Sequence, residues 1–396
     1  MRILTVNAGS SSLRLGLHDG AAAPPRLLLA AEAERIAAPG SRVALRDAAG
    51  ATLAEAELPL PDAEAALAAL LDLLRAAGAL DALAAVGHRI VHGGPDFDGP
   101  RLLTPDVVAA LARLAPLAPR HQPRALRLAA ATGTAFPGLP QVACFDTAFH
   151  RTMPPLARAE PLPAAATAGE IVRYGFHGLS CQSVLDQLAG LDPAAARGRL
   201  VVAHLGAGAS LTAVRDGRSL ETTMGFTPAG GIMMATRTGD LDPGVLVRLA
   251  RRDGLDADAL DHLVNDASGL LGVSGSSGDM ATLLARRNGD PAAAFAVDLF
   301  AYLAAKALGG LVAVLGGLDL LAFAGGIGEH AAPVRAAVCD RFGFLGLTLD
   351  PGRNAANAPL VSAAASAVAV RIVPSDEAAV IARQTRDLVA PEESRR

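Results

Sequence analysis

Short apolar runs of Val, Ile, Leu and Ala recur along the chain, each ending in glycine or a small polar residue, and between them apolar positions return at helical spacing. The first run, from Ile3, passes through Asn7-Ala8-Gly9-Ser10-Ser11-Ser12 into Leu13-Arg14, which predicts a strand, a tight turn and a returning strand. Val201 to Leu205 repeats the plan about half a chain later, through Gly206-Ala207-Gly208 into Ala209-Ser210-Leu211. In the first half a meander is expected up to about Val43, then a helix over Leu58 to Leu83 behind Pro59 and Pro61. A buried strand over Ala84 to His92 follows, then helices from Thr104-Pro105 to Leu114 and from Leu117 to Thr132, and a strand from Gln141 that ends on Asp146. The second half predicts strands at 200–204, 211–214, 318–324 and 368–373, and helices near 243–252, 256–265 and 291–315. Gly325 to His330 reads as a glycine turn feeding a helix, and a last helix follows Pro374-Ser375-Asp376-Glu377.

With 396 residues the chain is long enough for two cores, and the Pro/Ala-rich stretch from Met153 to Thr167 has the composition of a boundary. The expected division is 1–150 and 151–376, with the closing helix 377–396 packing back on the first domain. Aromatic residues make up 3% of the chain, so its 51% hydrophobic content rests on Ala, Leu and Val and on close backbone packing. A net charge of −4 offers no basic surface for nucleic acid and no polybasic membrane patch. The apolar stretch Leu299 to Leu321 carries Lys306 and four glycines, which favours a buried helix or a subunit contact over a membrane span. Three widely spaced cysteines make neither a disulfide framework nor a metal set, and no leader precedes the first strand, so a cytoplasmic location is expected. Lys306 is the only lysine and follows no glycine loop, which argues against a P-loop or a protein-kinase site. Phosphate chemistry in this chain has to use arginine.

A turn of small residues gathers backbone N–H groups and hydroxyls without side-chain bulk, the geometry that wraps a phosphate. One such segment is explained by hairpin geometry alone. Two of them, with Asn7 and His204 where the strands end, suggest two lobes facing one nucleotide. Further polar clusters lie at strand ends or glycine turns: His88-Arg89 to Gly94, Phe145-Asp146 to His150, Arg173-Tyr174-Gly175-Phe176-His177-Gly178, and Thr236-Arg237-Thr238-Gly239-Asp240. Each alone suits a structural ion pair or a loop histidine. Together they supply the cations, hydrogen-bond donor and ordering carboxylate that phosphoryl transfer to an anion needs.

In order along the chain, Asn7 to Arg14, His88 to Gly94, Phe145 to His150, Tyr174 to Gly178, Thr223-Met224-Gly225-Phe226-Thr227-Pro228 and Gly326-Ile327-Gly328-Glu329 resemble the signatures of the acetokinase family. The resemblance implies an α/β, duplicated actin-like (ribonuclease H-like) ATPase fold of two domains with the active site in the cleft between them. It also implies reversible, in-line transfer of the γ-phosphate of ATP to a short carboxylate such as acetate, giving ADP and an acyl phosphate, with Mg²⁺ or Mn²⁺, in a homodimer. Propionate or butyrate as the acid, and a non-kinase module of the same superfamily that hydrolyses or merely senses ATP, are the alternatives. By the same resemblance Arg89, Arg237, Asp146 and His177 are catalytic. Asn7 and Glu377 hold the metal. Val91, Phe176 and Pro228 wall the acyl pocket beside Arg89, with Arg120 and His121 next to it. Nucleotide contacts fall to Asn7, Ser10, Ser12 and Arg14, to His204, Leu205, Gly206, Ala207 and Gly208, to Asp279, Met280 and Ala281, and to Gly326, Ile327, Gly328, Glu329 and His330.

Some positions depart from the family pattern. Arg120 stands before His121 where a pocket-lining Leu is usual, so either it brings a polar group to the acyl pocket or it turns outward with its stem along the surface. Ala281 removes an arginine near the nucleotide. Arg14 replaces Lys, His330 replaces Asn, Ala235 replaces Gly and Thr238 replaces Ser. A carboxylate is already ionised at neutral pH and needs no general base, so catalysis reduces to offsetting repulsion between anions, a task that suits guanidinium forks.

Overall fold

The computed structural model describes all of residues 1–396 except Ser10, Ala168 and residues 391–396. The described chain forms two compact units: one of residues 1–149 together with Asp376 onward, the other of His150–Ser375. The expected end of the closing helix, residues 391–396, lies outside the described residues, and so does the candidate contact Ser10.

Unit 1 is built on a sheet of strands β1 (Arg2–Ala8), β2 (Ser12–Asp19), β3 (Arg26–Glu34), β4 (Arg42–Asp47), β5 (Thr52–Glu57), β6 (Leu83–Ile90), β7 (Arg101–Leu102) and β8 (Gln141–Phe145), in the order β5-β4-β3-β2-β1-β6-β8-β7. β1 to β5 form an antiparallel meander, whereas β1, β6 and β8 run parallel and end at one edge of the sheet. Alternation places Leu4, Val6, Leu15 and Val86 in one core with Leu67, Leu70, Leu71 and Leu74 of the helix Ala63–Ala76. That helix is shorter than the apolar spacing predicts. Asp62 caps it by accepting the Ala65 N–H at 2.7 Å, and the chain turns left-handed at Gly78. Likewise the helix expected from Leu117 begins at Gln122, because the backbone leaves helical geometry at Ala118 and His121 takes the cap position. The opposite face of the sheet receives the helix Glu377–Val389, which packs on β1, β6 and β8. Gly87 in β6 makes this close approach feasible: a Cβ there would lie 2.2 Å from Thr385 Oγ1 and 2.6 Å from Ile381 Cγ2.

Unit 2 repeats the plan with strands β9 (Leu200–Leu205), β10 (Ala209–Arg215), β11 (Arg218–Thr222), β12 (Leu320–Ala324) and β13 (Ala369–Ile372), in the order β11-β10-β9-β12-β13. β9, β10 and β11 are antiparallel neighbours, and β9, β12 and β13 run parallel. This matches β3-β2-β1-β6-β8 of unit 1 strand for strand, which is the duplication suggested by the paired glycine segments. Residues 325–330 differ from the expected turn: Gly325–His330 is itself a short helix, with a second helix over Ala332–Cys339. The helix Pro291–Leu315 is long and apolar enough by composition to cross a membrane. It starts on an Asp290 cap, buries Phe300, Leu308 and Leu311, and packs on β10 and on helices Gly269–Ser274, Met280–Arg286 and Ala332–Cys339, so it is the core helix of this unit.

Candidate active site

In unit 1 the three parallel strands deliver Asn7, Arg89 and Asp146 to the same sheet edge, the place where open α/β sheets present side chains to ligands. Arg89 grips Asp146 with Nη2 on Oδ2 at 2.7 Å and Nε at 3.0 and 3.2 Å from the two carboxylate oxygens. Its other arm, Nη1, donates to Asn7 Oδ1 at 3.2 Å and lies 3.7 Å from Glu377 Oε2. Asn7 Nδ2 in turn donates to Glu377 Oε2 at 2.7 Å. Glu377 opens the helix seated on Gly87, so helix packing places this carboxylate.

Asp146 is 1% exposed. Burial, helped by the negative charge of Glu377, outweighs the pull of Arg89 and pushes its carboxyl up to about 6. Arg89 is held charged because Asp146 and Glu377 together overcome the burial that opposes its charge. One cation faces two carboxylates, so this corner carries an excess negative charge and offers hard oxygen donors. Nearby His88, on Gln141 Oε1 at 2.6 Å, and His92, whose Nδ1 accepts the Gly94 N–H at 2.8 Å, are both pushed down to about 4 by burial.

The first glycine turn is closed by Gly9 N–H to Ser12 O at 3.0 Å, and Arg124 clamps it from outside with Nη1 on Gly9 O at 2.6 Å. Arg124 was invisible to sequence reading. It directly follows the Gln122-Pro123 pair that opens a helix, a position that by itself points to no partner. Arg14 instead turns to Glu32 at 2.6 Å with its side chain 68% exposed. Val91 is buried, His121 is half-buried at its helix cap, and Arg120 is exposed.

In unit 2 the histidine of the Gly-Phe-His-Gly segment adopts a left-handed backbone at φ 60° and precedes the helix Gly178–Leu191. The ring of His177 stacks on His204 with centroids 4.3 Å apart, and its Nδ1 lies 3.0 Å from Ser210 Oγ. His204 Nδ1 is 2.7 Å from Ser180 Oγ. Gly208 lies against both His177 and Arg237: a Cβ there would come within 3.1 Å of His177 Nε2 and 3.5 Å of Arg237 Nη1. Arg237 also donates to Pro228 O at 3.0 Å, so the half-buried Pro228 belongs to the same cluster. Leu205 is buried beneath the turn Gly206-Ala207-Gly208, which is closed by Gly206 N–H to Gly208 O at 3.0 Å.

The short helix Gly325–His330 adjoins this turn, for a Cβ at Gly325 would lie 3.2 Å from His204 Nε2. Glu329 Oε1 accepts the N–H of Gly325 at 2.9 Å and of Ser375 at 3.2 Å. Behind it, Arg335 is fully buried and donates to the carbonyls of Gly328 and Glu329 at 2.8 and 3.0 Å. Gly326 is exposed, Ile327 half-buried, Gly328 buried, and the His330 side chain is 75% exposed. Asp279 caps the helix Met280–Arg286 through Thr282, at 2.8 Å to its N–H and 2.6 Å to its hydroxyl. Those bonds hold its carboxyl below the usual range. Met280 is buried and Ala281 exposed. Phe176 is buried, with its carbonyl 2.9 Å from His150 Nε2.

Two α/β units of matching strand order, each carrying a glycine hairpin and an arginine within a polar cluster, define a phosphotransferase class within the actin-like ATPase fold. The acetokinase family profile matches residues 2–383, and the chain belongs to that family. It is similar to the acetate kinase of Rhodopseudomonas palustris, at 45% identity over 387 residues covering 96% of each chain. The acetate kinase of Leifsonia xyli subsp. xyli is 44% identical over 397 residues, covering 98% of this chain and 99% of the other. Among solved structures, the Porphyromonas gingivalis acetate kinase has a TM-score of 0.86 at 35% identity, with 97% of this chain and 98% of that one covered. A propionate kinase from Francisella tularensis subsp. tularensis has a TM-score of 0.90 at 32% identity, with 98% and 100% covered.

Proposed function

We propose that the chain transfers the terminal phosphoryl group of ATP to acetate, and back from acetyl phosphate to ADP. The observation that carries this reading is the two-pronged grip of buried Asp146 on Arg89, beside Asn7 and Glu377, in a chain matched by the acetokinase family over residues 2–383. The reaction joins two anions, and its barrier is largely electrostatic. Arg89 brings a guanidinium whose direction is set by Asp146. Arg237 brings a second, anchored on the Pro228 carbonyl, and His177 brings a ring N–H donor for a phosphoryl oxygen. The acid attacks as the carboxylate it already is, so no residue has to remove a proton.

A divalent cation suits the donor set at Asn7 and Glu377, which offers an amide oxygen and a carboxylate in a corner of excess negative charge. Among the described residues no group of three or more His, Cys, Asp or Glu is arranged to hold a metal, so Asn7 and Glu377 would share the ion with phosphate and water. When bound, Mg²⁺ neutralises phosphate oxygens. Val91, Phe176 and Pro228 are the proposed walls for the methyl group, and the glycine turns at 206–208 and 325–330, with Asp279 to Ala281, are the proposed nucleotide contacts.

A homodimer is part of the same reading. The helices Pro243–Asp253 and Ala257–Asp266 bury no residue within the chain. A second copy of the chain is the proposed cover for these faces. The cytoplasm is the proposed compartment, in keeping with buried Cys144, Cys181 and Cys339, which form no disulfide.

The test is hydroxamate trapping of the acyl phosphate with ATP, Mg²⁺ and a panel of acetate, propionate, butyrate and hydroxy acids. Acetate is expected to give the highest kcat/KM. A higher value with propionate would transfer the assignment to the activity named for the Francisella relative, and ATP loss with no hydroxamate from any acid would overturn it in favour of a sensor.

A further inference from the structure

The two stacked histidines of unit 2 are wired alike. Each has Nδ1 on a serine hydroxyl, His177 on Ser210 at 3.0 Å and His204 on Ser180 at 2.7 Å. Each has Nε2 turned to a glycine: that of His177 is 3.1 Å from where a Cβ of Gly208 would sit, and that of His204 is 3.2 Å from a Cβ of Gly325. Sheet register produces the arrangement. Ser210 pairs directly with His204 across β10 and β9, so their side chains share a face, and the left-handed backbone of His177 lays its ring on that face. A left-handed backbone at a residue other than glycine is strained, and such strain is retained where function over-determines the geometry.

Charge and hydrogen-bond accounting then select one tautomer. Two imidazolium rings 4.3 Å apart would repel each other in this partly buried setting, so the pair is disfavoured as a double cation. A neutral ring has one N–H and one acceptor nitrogen, and the partner of Nδ1 decides which is which. Ser210 and Ser180 are buried, and among the described residues each hydroxyl has the imidazole Nδ1 as its one hydrogen-bond partner. With the ring proton on Nδ1, a buried serine hydroxyl hydrogen would be left without an acceptor, an unfavourable arrangement. With it on Nε2, both serine hydroxyls donate to their rings.

We propose that Ser210 and Ser180 are positioning residues that hold His177 and His204 in the Nε2–H tautomer, so that the pair presents two N–H donors to phosphate oxygens of the nucleotide. This rests on the acetokinase reading for the identity of the ligand, though not for the tautomer. Neither serine touches the reacting atoms; each acts through its ring.

Nitrogen NMR of the full chain with ¹⁵N-labelled histidine, the two rings assigned by single His→Gln variants, reads the tautomers directly. In the free protein at neutral pH both rings are expected to carry the proton on Nε2, and both Nε2 resonances are expected to move on adding ADP with Mg²⁺. Ser210→Ala is expected to shift His177 toward the Nδ1–H form and to lower kcat about tenfold, with KM for ATP and acid within about threefold. Ser210→Thr, which keeps a hydroxyl, should restore both. A proton on Nδ1 in the wild type, or an Nε2–H ring that is indifferent to Ser210→Ala, would overturn the proposal, as would bound ADP that leaves both Nε2 signals unmoved. Should Ser210→Ala not fold, Ser180→Ala read at His204 asks the same question independently. The expected tautomers in a chain that phosphorylates no carboxylate would support the wiring and sink the kinase reading instead.

Discussion

Arg89 and Asp146 meet side-on, with Nη2 and Nε of the guanidinium both on Asp146 Oδ2, at 2.7 and 3.0 Å, while the carboxylate is almost completely buried. This leaves the Nη1 arm of Arg89 on the Asn7 and Glu377 side of the cluster. A buried acid that fixes one edge of a guanidinium decides where its other edge points, and that is the work assigned to Asp146.

Asp146→Asn keeps the shape but removes the charge. The substitution is expected to lower kcat by about 10²–10³, in the range for loss of one preorganised electrostatic contact, with nucleotide affinity within about threefold. Steady-state kinetics beside calorimetric ADP binding checks this. An equal loss in both quantities would make Asp146 a nucleotide or folding residue.

Asp146 should titrate late for an aspartate. With burial lifting its carboxyl to about 6, the infrared difference between wild type and Asp146→Asn should contain a carboxylate band that gives way to a protonated carbonyl band with a midpoint near pH 6. A midpoint near the ordinary 3.8 would mean that Arg89 controls the site charge more strongly than burial does.

Stability should fall on mild acidification. His88, His92 and His150 are held neutral down to about 4 by burial, and His18 is lowered by the same cause, whereas all take up protons near 6.5 once unfolded. A depressed folded-state pKa gives stability that is complete above 6.5 and is lost as pH falls toward 4. Asp146 and Glu221, raised mainly by burial, work in the opposite direction between their ordinary and raised values. Four groups against two leave a net loss between pH 6.5 and 4, of about 1.4 kcal/mol per pH unit for each uncompensated histidine. Thermal midpoints at pH 7.5, 6 and 5 should therefore descend; a flat profile would contradict the buried-neutral assignment.

Gly87→Ala tests the seat of the last helix. The added methyl meets Thr385 Oγ1 and Ile381 Cγ2 well inside contact distance, so a loss of about 1–3 kcal/mol is expected, with a fall in kcat as Glu377 is lifted from Asn7 and Arg89. The pair Gly87→Ala with Thr385→Ala should recover part of both. Recovery of stability without kcat would separate the seat from the placement of Glu377.

Arg120→Leu should leave the ratio of acetate to propionate kcat/KM unchanged within about twofold, because Arg120 is exposed. A changed ratio, measured by the hydroxamate assay, would bring that side chain to the acyl pocket.

Much of the architecture was legible in residue order. Apolar runs closed by glycine marked β1, β9 and β12, and Thr104 and Pro105 marked a helix start, because strand periodicity and capping are local physics. Helix ends were less legible: the limits at Asp62 and Gly78 depend on which cap and which turn the rest of the sheet leaves room for.

By itself, the sequence determined the duplicated glycine hairpins, the exclusion of lysine-based phosphate chemistry, and the candidates Arg89, Asp146, His177 and Arg237, since residue type and local spacing set each of these. Tertiary structure alone decided who meets whom. Asn7 and Glu377 stand at opposite ends of the chain, yet bond at 2.7 Å because Gly87 lets the last helix settle onto β6. Ser180, Ser210, Arg124 and Arg335 carried no signal of their own, for a hydroxyl or a guanidinium acquires its role only from the ring or carbonyl that folding places against it, and that contact is set by strand register and helix packing across many residues.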